Sequence, residues 1–266
     1  MLSNFHTHST FCDGQNTVEE IILKAMEKNF SSIGFSSHGY TDFDLRYCMK
    51  DTEGYIAEVT RLKEKYKNEI QVYLGIEEDA FGPCDRSRFD YIIGSSHYFK
   101  INDNYYPIDS NYDYFKECLK AFNYNITLLS ETYYKSFCDY ICSRKPDIIG
   151  HFDLITKFDE LDDSLFLDNA EYNKIAEKYV SVAAESDCIF ELNTGAISRG
   201  FRTKPYPNEN LLYILKKKNS KLILSSDSHN VKTLDSDFDY AKDYLKHIGF
   251  KQLYTLYNND FMKYDI

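Results

Sequence analysis

Asn4-Phe5-His6-Thr7-His8-Ser9-Thr10-Phe11-Cys12-Asp13-Gly14 sets two histidines two residues apart and an aspartate five residues further on. On an extended strand, residues i and i+2 share a face, so His6 and His8 can present two imidazoles to one point in space. Imidazole is the commonest metal-ligating side chain and suits zinc, iron and similar ions. Asp13 falls in the following turn, where Gly14 lets the chain bend back. An H-x-H pair by itself is a weak signal; the rest of the chain gives it weight.

Six of the seven histidines stand in similar settings. His38 follows Ser32-Ile33-Gly34-Phe35-Ser36-Ser37, and His97 follows Tyr91-Ile92-Ile93-Gly94-Ser95-Ser96. His151 follows Asp147-Ile148-Ile149-Gly150. Asp227 and His229 follow Leu222-Ile223-Leu224-Ser225-Ser226, and Glu77 follows Val72-Tyr73-Leu74-Gly75-Ile76. Each time a short apolar run ends in one or two small residues and then a metal-capable side chain. Histidines scattered through a core would not all fall at the ends of strand-like runs. Only His247, in a late helical pattern, stands outside.

Working outward, Thr17-Val18-Glu19-Glu20 reads as a capping box, with Val18, Ile21, Ile22, Ala25 and Met26 following at helical spacing. Further helices are predicted at 55–66, 112–122, 126–142, 172–183, 208–218 and 235–247. Asp168-Asn169-Ala170-Glu171 is expected to cap the fourth of these six as a D-x-x-E motif. Strands are predicted through Ile33 and Phe35, then at 70–76, 89–94, 146–151, 188–193 and 222–226, with a short one in the tail near Leu253 and Leu256. Loops are expected at 39–50, with Asp42, Asp44 and Arg46 exposed, and at 100–111, 153–163 and 194–207.

Strand and helix thus alternate about seven times, which argues for parallel strands joined by helical crossovers. The strands are apolar throughout, as strands covered on both faces should be. An open doubly wound sheet gathers two or three strand ends at a switch point. A closed barrel gathers all of them at its C-terminal end. Six donor-bearing strand ends therefore favour an α/β fold of the (β/α)7 barrel kind, with the site at the C-terminal ends of the strands. Residues 1–266 are read as one domain, with no linker, repeat or low-complexity tract.

The net charge of -11 disfavours a general nucleic-acid binder. Lys216-Lys217-Lys218 ends a helical pattern, where it complements the helix dipole. No apolar run approaches the roughly 20 residues of a membrane span, so no membrane partner is expected. The N-terminus lacks a basic stretch followed by a long apolar one, and a cytoplasmic location is expected. Seven cysteines without C-x-x-C spacing read as reduced thiols, Cys12 standing apart because it lies within the first motif. The sequence is compatible with a homo-oligomer.

The ordered set H-x-H (His6, His8), His38, G-I-E (75–77), S-S-H ending at His97, G-H-F-D (150–153) and S-D-S-H (226–229) resembles the polymerase and histidinol phosphatase, or PHP, family. The resemblance runs over essentially the whole chain. It implies a distorted (β/α)7 barrel with a trinuclear site for two to three divalent ions, zinc, manganese or iron. His6, His8, Glu77 and Asp227 would hold the first ion. Glu77, His97 and His151 would hold the second, and Asp13, His38 and His229 the third. The family often has histidine at the Asp13 position and commonly an acidic residue at that of Ser37.

Lys157-Phe158 after the G-H-F-D motif, and Glu191-Leu192-Asn193-Thr194-Gly195 followed by Arg199, look like the histidinol-phosphate phosphatases of that family. The implied reaction is hydrolysis of L-histidinol phosphate, a small-molecule phosphomonoester, in histidine biosynthesis. Attack would come from a hydroxide shared by two ions, with Glu77, Asp227 and His229 as catalytic residues. Arg199 and Lys157, and less strongly Arg202, are the candidates for phosphate contact. Arg202 and Lys204 also suit a solvated loop. Asp153 suits either a support for His151 or a turn cap. A tyrosine-rich acidic pocket drawn from 98–114 and Tyr133-Tyr134 would suit the ammonium and imidazole of histidinol. The alternative within the family is a phosphatase for another monoester, such as phosphotyrosine or a nucleotide. A nuclease is disfavoured by charge, and a non-catalytic scaffold by the completeness of the donor set.

Overall fold

The computed structural model describes residues 1–161 and 165–266. Its elements in chain order begin with β1 (Ser3–Asn4), α1 (Val18–Glu27), β2 (Ser32–Phe35), α2 (Thr52–Lys65), β3 (Gln71–Asp79) and β4 (Tyr91–Ser95). Then come β5 (Tyr98–Ile101), β6 (Asn104–Pro107), α3 (Tyr112–Ala121), α4 (Ile126–Arg144), β7 (Ile148–Ile149), α5 (Ala170–Ala183) and β8 (Ile189–Asn193). The chain ends with α6 (Gly195–Ser198), α7 (Glu209–Lys217), β9 (Leu222–Ser225), α8 (Phe238–Ile248), β10 (Gln252–Tyr257) and β11 (Asp260–Asp265).

β1, β2, β3, β4, β7, β8 and β9 lie side by side in that order, all paired in parallel. The first and last of these meet beyond their ends. His8 N–H donates to Ser228 O at 2.8 Å, and Ser228 N–H donates to His6 O at 3.0 Å. β10 adds to β9 in parallel, and β11 returns antiparallel beside it. The fold is thus mixed α/β on a mostly parallel sheet, as expected. No helix among the described residues is long and apolar enough to cross a membrane.

The two-residue alternation of the strands sorts the core into layers. Ile33, Phe35, Val72, Leu74, Ile76 and Ile92 face outward and pack with α1 and α2. Ile149, Phe190, Leu192, Leu222 and Leu224 pack with the later helices. The opposite parity, with Tyr73, Tyr91, Ile93, Ile148, Ile189 and Ile223, joins Phe5 and Leu256 in a separate inner cluster. Tyr91 crosses this interior and donates to Phe5 O at 2.5 Å and Phe35 O at 3.1 Å. A Cβ on Gly34 or Gly75 would overlap Tyr91, which explains the two glycines in these strands. Continued along the same parity, β3 runs Tyr73, Gly75, Glu77 and β9 runs Ile223, Ser225, Asp227, so the interior turns from apolar to polar at the C-terminal end.

Local sequence accounts for most boundaries. The Thr17 capping box forms, its hydroxyl accepting from Glu20 N–H while Glu20 accepts from Thr17 N–H. α5 is capped by Asn169 rather than Asp168, because the Asn169 Oδ1 reaches both Glu171 N–H and Tyr172 N–H. α8 starts at Phe238, three residues later than predicted, after a 3₁₀ turn at Val231–Thr233. The predicted loop at 100–111 holds the β5–β6 hairpin instead. Its aromatic side chains stack across the 39–50 segment, Phe43 on Tyr105 at 3.8 Å between centroids. The tail forms a second hairpin, turned by Asn258 and Asn259, both at positive φ. The 153–163 loop begins with a 3₁₀ turn at Leu154–Thr156, while residues 162 and 163 lie outside the described residues.

Candidate metal centre

Glu77 occupies the middle of the polar end of the interior, 1% exposed. Its Oε2 lies 3.2 Å from His6 Nε2, 3.5 Å from His8 Nε2 and 2.9 Å from His38 Nδ1. Its Oε1 lies 3.3 Å from His97 Nε2 and 3.1 Å from His151 Nε2, and accepts from Ser95 Oγ at 2.7 Å. One carboxylate therefore faces two sets of imidazoles, one on each oxygen. Asp227 Oδ1 stands 3.7 Å from His6 Nε2 and 3.3 Å from His8 Nε2. Toward the mouth, Asp13 lies 3.7 Å from His38 Nε2 and 3.3 Å from His229 Nε2. All nine residues singled out in the sequence come together in four overlapping groups of three or four potential ligand atoms.

The donor chemistry fits divalent cations. Among the described residues His6 Nε2, His8 Nε2 and Glu77 Oε2 are buried polar atoms without a hydrogen-bond partner, and they lie close together. Buried polar groups are normally paired, so several such atoms converging is what a cation site leaves open. Burial opposes charge on Glu77, but His6, His38 and His97 hold it well below the ordinary carboxylate range. Burial, with His229 and His38 nearby, lowers His8 to about 3 and leaves it a neutral imidazole. Burial and Asp13 raise the Cys12 thiol to about 11. That makes Cys12 a protonated neighbour of His8, with its Sγ 3.5 Å from Nδ1.

A cavity of about 380 Å³ opens over the donors. Arg199 and Lys157 both line it. Arg199 donates to Asp227 O and Oδ2, each at 2.9 Å, and Lys157 donates to Asp109 O at 2.6 Å. Burial lowers the Lys157 ammonium from its ordinary value, although Asp109 opposes the shift. Asp44, Arg46, Tyr47, Tyr98 and Asp109 also line the cavity.

Four sequence expectations need correction. Arg202 does not reach the cavity. It is buried, donates to Thr156 Oγ1 at 2.7 Å and lies 3.9 Å from Asp153, because a guanidinium inside the protein must find carboxylate and hydroxyl partners. Asp153 neither supports the His151 ring nor caps a turn; it accepts from the backbone and side chain of Asn208, both at 2.9 Å. Asp44 is not a free loop residue, since Arg46 and the Tyr98 hydroxyl both donate to it. Tyr133 and Tyr134 are core residues at 1% and 0% exposure.

Two carboxylates behind the donors had no assigned role. Glu191 Oε1 accepts from His6 Nδ1–H at 2.6 Å, and Asp79 Oδ2 lies 3.2 Å from His97 Nδ1. Parity was the signal available for both. Glu191 lies two residues after Ile189, and Asp79 two after Glu77, on the inward side of their strands.

The PHP domain model matches residues 4–195. A protein of Schizosaccharomyces pombe named probable histidinol-phosphatase is 28% identical over 271 residues, covering 93% of this chain and 87% of its own. The histidinol-phosphatase of Bacillus subtilis is 25% identical over 265 residues, covering 89% and 95%. Among solved structures, the histidinol phosphate phosphatase of Lactococcus lactis, complexed with zinc, L-histidinol and phosphate, superposes with a TM-score of 0.73 at 19% identity. That likeness covers 98% of both chains and extends to the fold.

Proposed function

The chain belongs to the PHP domain family, and we propose that it is a metal-dependent phosphomonoesterase that hydrolyses L-histidinol phosphate to L-histidinol and phosphate, in histidine biosynthesis. Residues 1–266 act as one domain in this reading. The observation that carries it is the convergence of nine imidazole and carboxylate donors with two cationic side chains, Arg199 and Lys157, at a single cavity. Relatives that bear the name of this activity extend over nearly the whole chain.

His6, His8, Glu77 and Asp227 would hold one ion, Glu77, His97 and His151 a second, and Asp13, His38 and His229 a third. Divalent ions such as zinc, manganese or iron supply a nucleophile from water at neutral pH and neutralise the phosphate oxygens. Arg199 binds the ester phosphate from the cavity side. Its guanidinium has five N–H donors, and Asp227 occupies only part of that fork. Lys157 supplies a second cation, its ammonium held in place by donation to the Asp109 carbonyl. Burial works against charge on Asp227, but Arg199 and His6 keep it well below the ordinary carboxylate range. A group held so firmly ionised suits a ligand better than an acid. Tyr47, Tyr98 and the Asp109 carboxylate, on a lining where Arg46 already neutralises Asp44, suit an ammonium and an imidazole through ion pairing and cation–π contact.

The test is phosphate release from L-histidinol phosphate beside p-nitrophenyl phosphate, phosphotyrosine and a dinucleotide diester. Zinc- or manganese-loaded protein is compared with chelated protein. The expected result is a kcat/KM of about 10⁴ M⁻¹s⁻¹ or more for histidinol phosphate alone. Equal weak rates on every monoester would overturn the substrate, and no activity on any ester would overturn the hydrolase.

A further inference from the structure

The six imidazoles of the centre are not supported alike from behind. His6 is held hardest. Its ring has Nε2 toward Glu77 and Asp227, while Nδ1–H points away into Glu191 Oε1 at 2.6 Å. The other oxygen of Glu191 accepts from His151 N–H at 2.9 Å and from Asn193 Nδ2 at 2.9 Å. Asn193 Nδ2 in turn stands 3.5 Å from Asp227 Oδ2. A single carboxylate, 1% exposed, thus ties together three donors from three separate strand ends.

We propose that Glu191 is a positioning residue that fixes the Nδ1–H tautomer and ring angle of His6 and sets its spacing from His151 and Asp227, so that the inner cation site exists before any ion arrives. Asp79 does the same for His97 with a longer contact, 3.2 Å to Nδ1, and anchors that residue a second time through His97 N–H at 3.0 Å. Among the described residues His151 Nδ1 has no hydrogen-bond partner, and His229 Nδ1 faces Arg199 at 3.4 Å, the Asp227 carbonyl at 3.1 Å and, at a longer 3.6 Å, the Asp227 carboxylate. The physical reason is general. An imidazole whose remote nitrogen donates to a carboxylate is locked in one tautomer, is a stronger base at its other nitrogen and loses less rotational freedom on binding an ion.

The inference rests on the reading of these residues as a metal centre, and its test separates the two. Zinc affinity and stoichiometry are measured by chelator competition for the wild type, Glu191→Gln and Asp79→Asn, with thermal melting of each metal-free protein. Cobalt-loaded samples supply the visible spectrum of the site. Glutamine keeps the volume of Glu191 but offers only one acceptor oxygen, so the His6 and His151 contacts cannot both survive. The expected result is a metal-free melting curve close to wild type, a loss of zinc affinity of about 10- to 100-fold for the tightest ion and an altered cobalt spectrum. Unchanged affinity and spectrum in a folded Glu191→Gln protein would overturn the role. A second measurement needs no variant: the histidine ¹⁵N spectrum of the zinc-loaded wild type should place the His6 proton on Nδ1. A proton-free Nδ1 at His6 overturns the inference even if Glu191→Gln fails to fold. A wild type that binds no zinc overturns the metal reading itself, and this one with it.

Discussion

The centre has a floor and a mouth, built to different standards. On the floor, Glu77, His6 and His151 are almost fully buried, and Glu191 stands directly behind the His6 ring and accepts from the His151 backbone N–H. At the mouth, the Asp13 and His229 side chains are 35% and 23% exposed, and the carboxylate nearest His229 Nδ1, that of Asp227, stands off at 3.6 Å. The floor grows out of strands whose alternation is fixed by the core beneath. The mouth comes from the turn after β1 and the turn after β9. Order in a donor set therefore depends on the groups that stand behind it, and the floor should bind its cations more tightly than the mouth.

The largest effect that could break this contrast is at Glu77. Glu77→Gln should lower kcat/KM on the order of 10³-fold or more, because one carboxylate serves both sets of imidazoles. It should also reduce the bound zinc measured by elemental analysis. Asp13→Ala should be milder. Activity should fall about 10²-fold, and graded chelation should show that only the most weakly held zinc has gone. If Asp13→Ala instead strips every ion, floor and mouth are one cooperative unit and the contrast fails.

Arg199 sharpens the comparison from the substrate side. Arg199→Met should raise KM for the phosphate ester about 10- to 100-fold, the equivalent of one charge-assisted hydrogen bond lost. Zinc stoichiometry should not change. The smallest expected effect on activity is at Glu78, beside Glu77 in sequence but on the opposite face of β3. Glu78 takes a two-pronged ion pair from Arg144, both contacts at 2.7 Å, and a hydrogen bond from Tyr140. Burial pushes its carboxyl up, but Arg144 and Cys84 N–H more than offset this and hold it below its ordinary value. A depressed folded pKa stabilises the protein above the unfolded value, about pH 4.3, and that stability is lost as pH falls through the folded value. Glu78→Gln should therefore cost about 2–3 kcal/mol near neutral pH. It should also flatten the acid side of the Tm-versus-pH curve and leave kcat within about twofold, since an ion pair on the far face of the strand acts on stability.

Much of this was legible before any fold was known. Six of the nine donors, His38, Glu77, His97, His151, Asp227 and His229, stood out because they come after apolar runs, and a strand end is where a parallel α/β fold builds a site; His6 and His8 stood out by their spacing, and Asp13 joined them through the family resemblance. The β5–β6 hairpin was missed because its polar, tyrosine-rich residues carry little two-residue contrast. Its order comes from stacking against Phe43, a contact between segments about 60 residues apart. The same packing carries Asp44 and Arg46 from an apparent surface loop to the cavity wall. Arg202 was misplaced for the converse reason: a charged loop residue reads as solvated until Asp153 and Thr156 are found beside it.

By itself the sequence determined most element types, the parallel order and the imidazoles and carboxylates that gather at the strand ends, since these depend on periodicity and on the residues that end each strand. Only the tertiary structure decided which side chains stand behind the donors and which face the cavity. Glu191 meets His6 across 185 residues of chain. A hydrogen bond of that kind leaves no local pattern, because its geometry is set by the closure of β1 against β9 rather than by any neighbour in sequence.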